Sequence, residues 1–166
     1  MEQAAFEQLV ARMGDAASRG DAPGFAACFT PDGVYHDYIY GAFTGREAIA
    51  HMLADHFHAH ARDYDWRFFD PVVRGETGYA RSLSRFVSTM SQFAGREVVI
   101  DGMSRFRLKD GLIAEYWESV NAGVAHVQLG VAPARSAKVF ARWAKELTER
   151  ADTQAYVDGV RARYGK

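Results

Sequence analysis

The chain is short of cysteine, of charge of one sign and of long hydrophobic runs, and each shortage excludes something. One cysteine, Cys28, in 166 residues rules out an internal disulfide and a thiolate zinc cluster, and fits a reducing cytoplasm. No apolar run approaches the ~20 residues that a membrane-spanning helix needs. The opening stretch, MEQAAFEQLVARMGDAASRGD, is acidic and amphipathic and has no cationic start followed by an apolar core. It does not read as a signal peptide. Twenty Lys and Arg against 21 Asp and Glu leave a formal net charge of −1, with no basic stripe, which argues against nucleic-acid binding. Internal repeats, low-complexity segments, phosphate loops, dinucleotide fingerprints and serine-nucleophile motifs are lacking too, so no organic cofactor is expected.

What the chain does have is an ordinary globular balance, 48% hydrophobic and 25% charged, and many aromatics: 11 Phe, 8 Tyr and 3 Trp. A chain of this length can bury a real core, and the aromatics suit either a large core or a lined cavity. Residues 2–19 carry Phe6, Leu9, Val10, Met13 and Ala17 at helical spacing, with Gly20 as a stop. Asp21 and Pro23 open a short second helix to about Phe29. TPDG (30–33) reads as a turn, Val34 to Tyr40 as a strand, and Thr44–Glu47 (TGRE) as a capping box for a third helix to about residue 61. Four strands follow at 63–75, 79–93, 96–109 and 112–121, joined by the turn signals GETG, AG and DG. After Asn121 the chain returns to helix, with Val139, Phe140, Trp143 and Leu147 on one face and Asp152 capping a last short helix. Helices before and after an antiparallel meander mean α+β: a cone-shaped curved sheet wrapped by the N-terminal helices, enclosing a cavity suited to a small molecule. The expected organisation is a cone domain over 1–125 and a C-terminal helical extension over 126–166, packed on the same domain.

One residue stands out. Asp37 interrupts a run that otherwise reads as a strand, and Asp is disfavoured there. Alternation places Tyr35, Asp37 and Ile39 on one face. If Tyr35 faces the cavity, so does Asp37, and an apolar wall would make its carboxylate a better base near neutrality. The plainer alternative is that Asp37 anchors a backbone amide or pairs with an arginine. Asp101 ends the apolar run VVID and is either a second buried acid or a partner for a strand arginine. His56 and His60 share a helix face, but no third ligand stands at useful spacing, so no metal site is expected. His56 is expected at the cavity end and His58 in solvent.

Three stretches, FTPDGVYHDYIYGAFTGREAI, VVIDGMSRF and DGLIAEYWESVN, resemble the nuclear transport factor 2-like superfamily, which includes the SnoaL-like polyketide cyclases and the ketosteroid isomerases. The resemblance covers roughly residues 4–125. It implies a cofactor-independent acid–base enzyme (isomerase, cyclase or dehydratase) acting on a small apolar carbonyl compound. Asp37 would be the general base. Asp101 would be a protonated acid donating to the developing oxyanion, the arrangement for which the ketosteroid isomerases are the known example. His56 would be a further acid–base group. Met13 falls where the isomerases carry a tyrosine donor, and Phe29 and Leu53 where they carry supporting tyrosines. Tyr35, Trp66, Met13, Met103, Trp117 and Asn121 would line the pocket. Should the parity of the last strand be reversed, Glu118 becomes the interior acid, as in the limonene epoxide hydrolases. The Arg-x-Asp pattern of those enzymes is absent from SLSRFVSTM. The resemblance further implies a homodimer formed through the outer sheet face, with a small apolar molecule as its ligand. The alternative is a non-catalytic ligand-binding or protein-interaction module of the same fold.

Overall fold

The computed structural model describes residues 1–165. Two helices lead, α1 (Gln3–Arg19) and α2 (Ala22–Ala27), followed by β1 (Phe29–Asp37), β2 (Gly41–Thr44) and α3 (Arg46–Met52). A π-helical turn (Leu53–Phe57) and a 3-10 turn (His58–His60) carry the chain into β3 (Ala61–Arg74), β4 (Thr77–Ser88), β5 (Glu97–Lys109) and β6 (Leu112–Val120). Three helices close it: α4 (Ala122–Leu129), α5 (Pro133–Glu149) and α6 (Ala151–Tyr164). The chain divides into a unit of Met1–Leu129 and a second that begins at Gly130.

The first unit is α+β: a curved six-stranded sheet in the order β2-β1-β6-β5-β4-β3. The β3-to-β6 meander is antiparallel throughout, whereas β1 runs parallel to β6. Helix α1 forms because its apolar residues recur on one stripe, and that stripe, Phe6, Leu9, Val10, Met13 and Ala17, is buried. Gly20 ends it in the left-handed conformation, φ 69°, as helix C-termini favour. Asp21 caps α2 by accepting the Gly24 amide at 2.9 Å. Helix α1 lies on the sheet face where Phe106 and Phe68 stand, with Phe6 edge-on to Phe106 at 5.2 Å. The approach is so close that a Cβ at Gly78 would sit 2.4 Å from Phe6 Cζ.

Three local expectations give way. Residues 30–33 are not a separate turn but part of β1, where the register against β6 shifts between Phe29 and Val34. Thr44 does not cap α3. Gly45 holds that position at φ 83° with no side-chain bond. The third helix ends at Met52, and the chain unwinds through the π and 3-10 turns before residue 61. In the second unit, α5 starts on Pro133 and brings the Phe140 and Trp143 rings within 5.6 Å. No helix among the described residues is long and apolar enough to cross a membrane.

Candidate active site

The site grows from the end of β1. Tyr35 is fully buried inside the sheet's curve, His36 faces out and stacks on Trp117 at 4.8 Å, and Asp37 faces in again. The strand stops there, short of the expected Tyr40. Asp37 Oδ1 accepts the Ile39 and Tyr40 amides, each at 2.7 Å, an Asx-type turn that replaces strand pairing and returns the chain as β2. The amide-anchoring role weighed for Asp37 is therefore real, and it fixes the carboxyl at the cavity rim.

The cavity holds about 200 Å³ and lies entirely in the first unit. Tyr35, Phe57, Tyr64, Trp66 and Phe86 supply aromatic walls. Ile100 and Val120 supply aliphatic ones, and Ala122, Ala125 and Leu129 of α4 close one side. Ser84 and Ser88, small inward residues of β4, leave the space open. Two acids, Asp37 and Glu118, and three histidines, His56, His60 and His126, are the ionisable groups on the walls besides tyrosines, and none of the described lining residues is Lys or Arg.

This environment perturbs both carboxyls. Burial raises the pKa of Asp37, partly offset by the Tyr40 and Ile39 amides and by nearby His56. Glu118 is pushed to about 8, first by burial and then by the Asp37 charge, against the hydrogen bond from Tyr116. Some of its surface remains open, because the side chain borders the cavity. Glu118 is thus the member of the pair that keeps its proton to higher pH, helped by the charge on Asp37, and acid–base chemistry uses such a separation of two carboxyls. Tyr116 OH lies 3.1 Å from Glu118 Oε2, to which it donates when the carboxyl is ionised, and 2.8 Å from Ser104 Oγ, where either hydroxyl could be the donor. The Tyr35 hydroxyl is buried without a hydrogen-bond partner among the described residues. Burial raises the pKa of Tyr35, Tyr64 and Tyr116 alike, so all three remain protonated donors.

Of the residues singled out from sequence, Asp37, His56, Tyr35 and Trp66 come together on the cavity wall. His56 stacks on Tyr40 at 4.5 Å. His58, expected in solvent, instead bonds the Ala17 carbonyl at 2.7 Å. Asp101 does not reach the cavity. It stands on the outer face, 64% exposed, with Arg81 Nε 3.3 Å from its Oδ1, because its neighbour Ile100 takes the inward position on β5. Met103, 52% exposed, shares that outer face, and Asn121 lines the same shallow outer groove as Asp101. Trp117 lies outside under the Arg105 guanidinium. Met13 is fully buried in the hydrophobic core and is not a wall residue. Among the described residues no cluster of three potential ligands could hold a metal ion.

The inversion on β6 has an identifiable cause. Past the Asp110–Gly111 turn, Lys109 pairs with Leu112 and Leu108 with Ile113, but Arg107 then pairs with Glu115. Ala114 is an extra residue, a bulge that turns over every later side chain on the strand. Without it, the inward Ser104 and Phe106 would face Trp117 and Glu115. With it, they face Glu118 and Tyr116. Sequence reasoning held Glu118 only as the reversed-parity alternative and missed Ser84 as a site-forming group.

The sequence profile of the SnoaL-like domain matches residues 10–116. No curated protein gives a match. Among solved structures, TsrD from Streptomyces laurentii superposes with a TM-score of 0.70 at 21% identity, over 80% of this chain and 99% of its own. A protein of ketosteroid isomerase-like fold from Catenulispora acidiphila, solved with trimethylamine, gives 0.68 at 17% identity, over 75% and 94%. IdmH from Streptomyces antibioticus, a candidate polyketide cyclase, gives 0.62 at 21% identity, over 75% and 97%. At these identities the structures share a fold with this chain, and the family rests on the profile, which spans most of the cavity-bearing unit. The chain belongs to the SnoaL-like domain family.

Proposed function

We propose that the protein is a cofactor-independent acid–base enzyme, an isomerase, cyclase or dehydratase, acting on a small apolar carbonyl compound. The observation that carries this reading is the pair of inward carboxyls, Asp37 and Glu118, in one aromatic cavity with no Lys or Arg among its described lining residues. Asp37, the carboxylate, removes a proton from the carbon beside the carbonyl. Glu118, still protonated near neutrality, gives a hydrogen bond and then its proton to the carbonyl oxygen, so that a neutral enol forms. Asp37 returns its proton to a different carbon, the enol proton goes back to Glu118, and both groups are restored. His56, stacked beside the Asp37 turn, tunes that base, and the Tyr35 hydroxyl is a second donor within the wall. Glu118 takes the acid's part first expected of Asp101.

The cavity volume limits the substrate. About 200 Å³ lies below the ~300–1,000 Å³ of drug-sized pockets. That supports a one- or two-ring ketone or enone over a fused four-ring skeleton. Activation of water by paired acids and an arginine, as on an epoxide, finds no support, since no arginine is among the described lining residues. The proposed enzyme is a homodimer, a reading supported by the exposed Val99, Met103 and Tyr79 on the outer sheet face, and its single cysteine fits the proposed cytoplasmic location.

The test is deuterium exchange. Small cyclic ketones and enones are incubated with the protein in D₂O and their α-protons followed by NMR. Exchange that is catalysed by the native chain and lost in Asp37→Asn supports the reading. A panel that exchanges no faster than in buffer overturns it.

One observation favours a second reading, a binding module for a small amine. Two acids ringed by aromatic faces suit an ammonium group, and the Catenulispora acidiphila relative was solved with trimethylamine. Trimethylamine that binds saturably, together with no exchange on the ketone panel, would favour it.

A further inference from the structure

Behind Glu118 a file of hydroxyls crosses the inner face of the sheet. Tyr116 OH lies 3.1 Å from Glu118 Oε2 and 2.8 Å from Ser104 Oγ. Ser104 Oγ lies 3.5 Å from Ser82 Oγ, and Ser82 Oγ lies 3.4 Å from the Gly102 carbonyl oxygen. The strand register builds this file: Ser104 is opposite Glu118 on β6, and Ser82 is opposite Gly102 on β5. Tyr116, Ser104 and Ser82 are 0%, 1% and 4% exposed, so bulk water cannot substitute for a missing partner.

The protons on this file do not balance by hydroxyls alone. The four links are Glu118–Tyr116, Tyr116–Ser104, Ser104–Ser82 and Ser82–Gly102, and each needs one proton. Tyr116, Ser104 and Ser82 carry one each. The Gly102 carbonyl only accepts, so with all links made the protons must all point its way: Ser82 to Gly102, Ser104 to Ser82, Tyr116 to Ser104. The remaining link, to Glu118, then needs a proton from the Glu118 carboxyl. When Glu118 is ionised, Tyr116 turns to donate to it, Ser104 turns to donate to Tyr116, and one link at Ser82 is lost.

We propose that Ser104 and Ser82 are positioning residues for the reaction: by accepting the Tyr116 proton along the file they hold the proton on Glu118 while the cavity is empty, and the file reverses to support the carboxylate when that proton passes to a substrate oxygen. The inference rests on Glu118 as the acid of the proposed mechanism. Neither serine is among the cavity-lining residues, so any effect they have on the acid travels through Tyr116. The other ionisable groups that line the cavity with Glu118 are Asp37 and Tyr35 from β1, Tyr38 and Tyr40 from the turn after it, Tyr64 from β3, His56 and His60 from the turns ahead of β3, and His126 from α4. They are unchanged by substitutions on the file.

The experiment is titration of the Glu118 carboxyl by ¹³C NMR in the native chain and in Ser104→Ala, Ser82→Ala and Tyr116→Phe, without any substrate. In Ser104→Ala the Tyr116 proton has only Glu118 left to bond, so the Glu118 midpoint should fall, by about one pH unit for loss of a buried hydrogen-bond acceptor. In Ser82→Ala, a smaller change two links from the acid, the midpoint should fall by less. In Tyr116→Phe the carboxylate loses its donor and the midpoint should rise. Opposite signs for the serines and the tyrosine are the signature of a reversible file. Midpoints that stay fixed in both serine variants, or rise in them, overturn the proposal, and Ser82→Ala keeps the test decisive if Ser104→Ala folds poorly. Because the titration needs no turnover, a failed ketone panel with the expected shifts would sink the enzymatic reading and leave the file standing.

Discussion

Asp37 and Glu118 come from strands that are neighbours in the sheet but far apart in the chain, and they face one cavity so that the charge on the first helps keep the proton on the second. The asymmetry is set by surroundings. Asp37 has two backbone amides on one oxygen, which favour its ionised form, whereas Glu118 has a single phenol. Both are raised by burial, and the acid with fewer donors is raised to about 8.

That asymmetry predicts the effect of Asp37→Asn. The asparagine carbonyl can still accept the Ile39 and Tyr40 amides, so the turn and the fold should survive. The base is gone, and exchange on a reactive ketone should fall by about 10²–10⁴-fold. Circular dichroism and exchange rates measured on the same sample separate the two roles of this residue. A variant that keeps native exchange rates would show that Asp37 serves only the turn.

The pH–rate profile of kcat/KM should be bell-shaped. Its acid limb reports ionisation of Asp37, displaced upward from the ordinary aspartate range, and its basic limb falls near pH 8 as Glu118 loses its proton. The two limbs belong to a coupled pair, so Glu118→Gln should abolish the basic limb and also move the acid one.

Stability should depend on pH through Glu118. Its folded pKa, about 8, lies above the ordinary value of 4.5, so between those values the folded chain binds more protons than the unfolded one. The contribution is fully present below about pH 4.5 and is lost progressively as pH rises to about 8, on the order of a few kcal/mol. Urea denaturation at pH 5 and pH 9 should show this loss in the native chain and much less of it in Glu118→Gln.

Asp101→Asn provides the contrast. Its partner Arg81 and Asp101 itself are both well exposed, and surface pairs contribute ~0–1 kcal/mol. Activity should stay within about twofold of the native chain and stability within about 1 kcal/mol. A loss comparable to that of Asp37→Asn would contradict the outward placement of Asp101.

Gly78→Ala tests the packing that supports the site. The added methyl would meet the Phe6 ring at 2.4 Å, and Phe6 is fixed edge-on against Phe106. Overpacking of this kind costs about 1–3 kcal/mol, which thermal denaturation would register as a lower Tm.

Much of the architecture was legible in the sequence, because it depends on local signals. The stripe on α1, the cap at Asp21 and the turn glycines fix elements through nearest neighbours, and their order indicated an α+β cone, while three motif stretches carried the resemblance to the SnoaL-like family. Asp37 was legible too, as a charge out of place in an apolar strand, and its link to Tyr35 needed only two-residue alternation. The acid opposite it was not. Trp117 and Glu118 sit side by side in EYWESV, and each parity places an aromatic inside. One extra residue at Ala114, accommodated by pairing with β5, decided between them. The same long-range pairing sent Asp101 outward and lined up Ser82, Ser104 and Tyr116 behind Glu118. Local sequence determined which elements form and where the first acid stands. The tertiary structure decided which second acid joins it, because a strand's face is set by its register with a partner and not by its own residues.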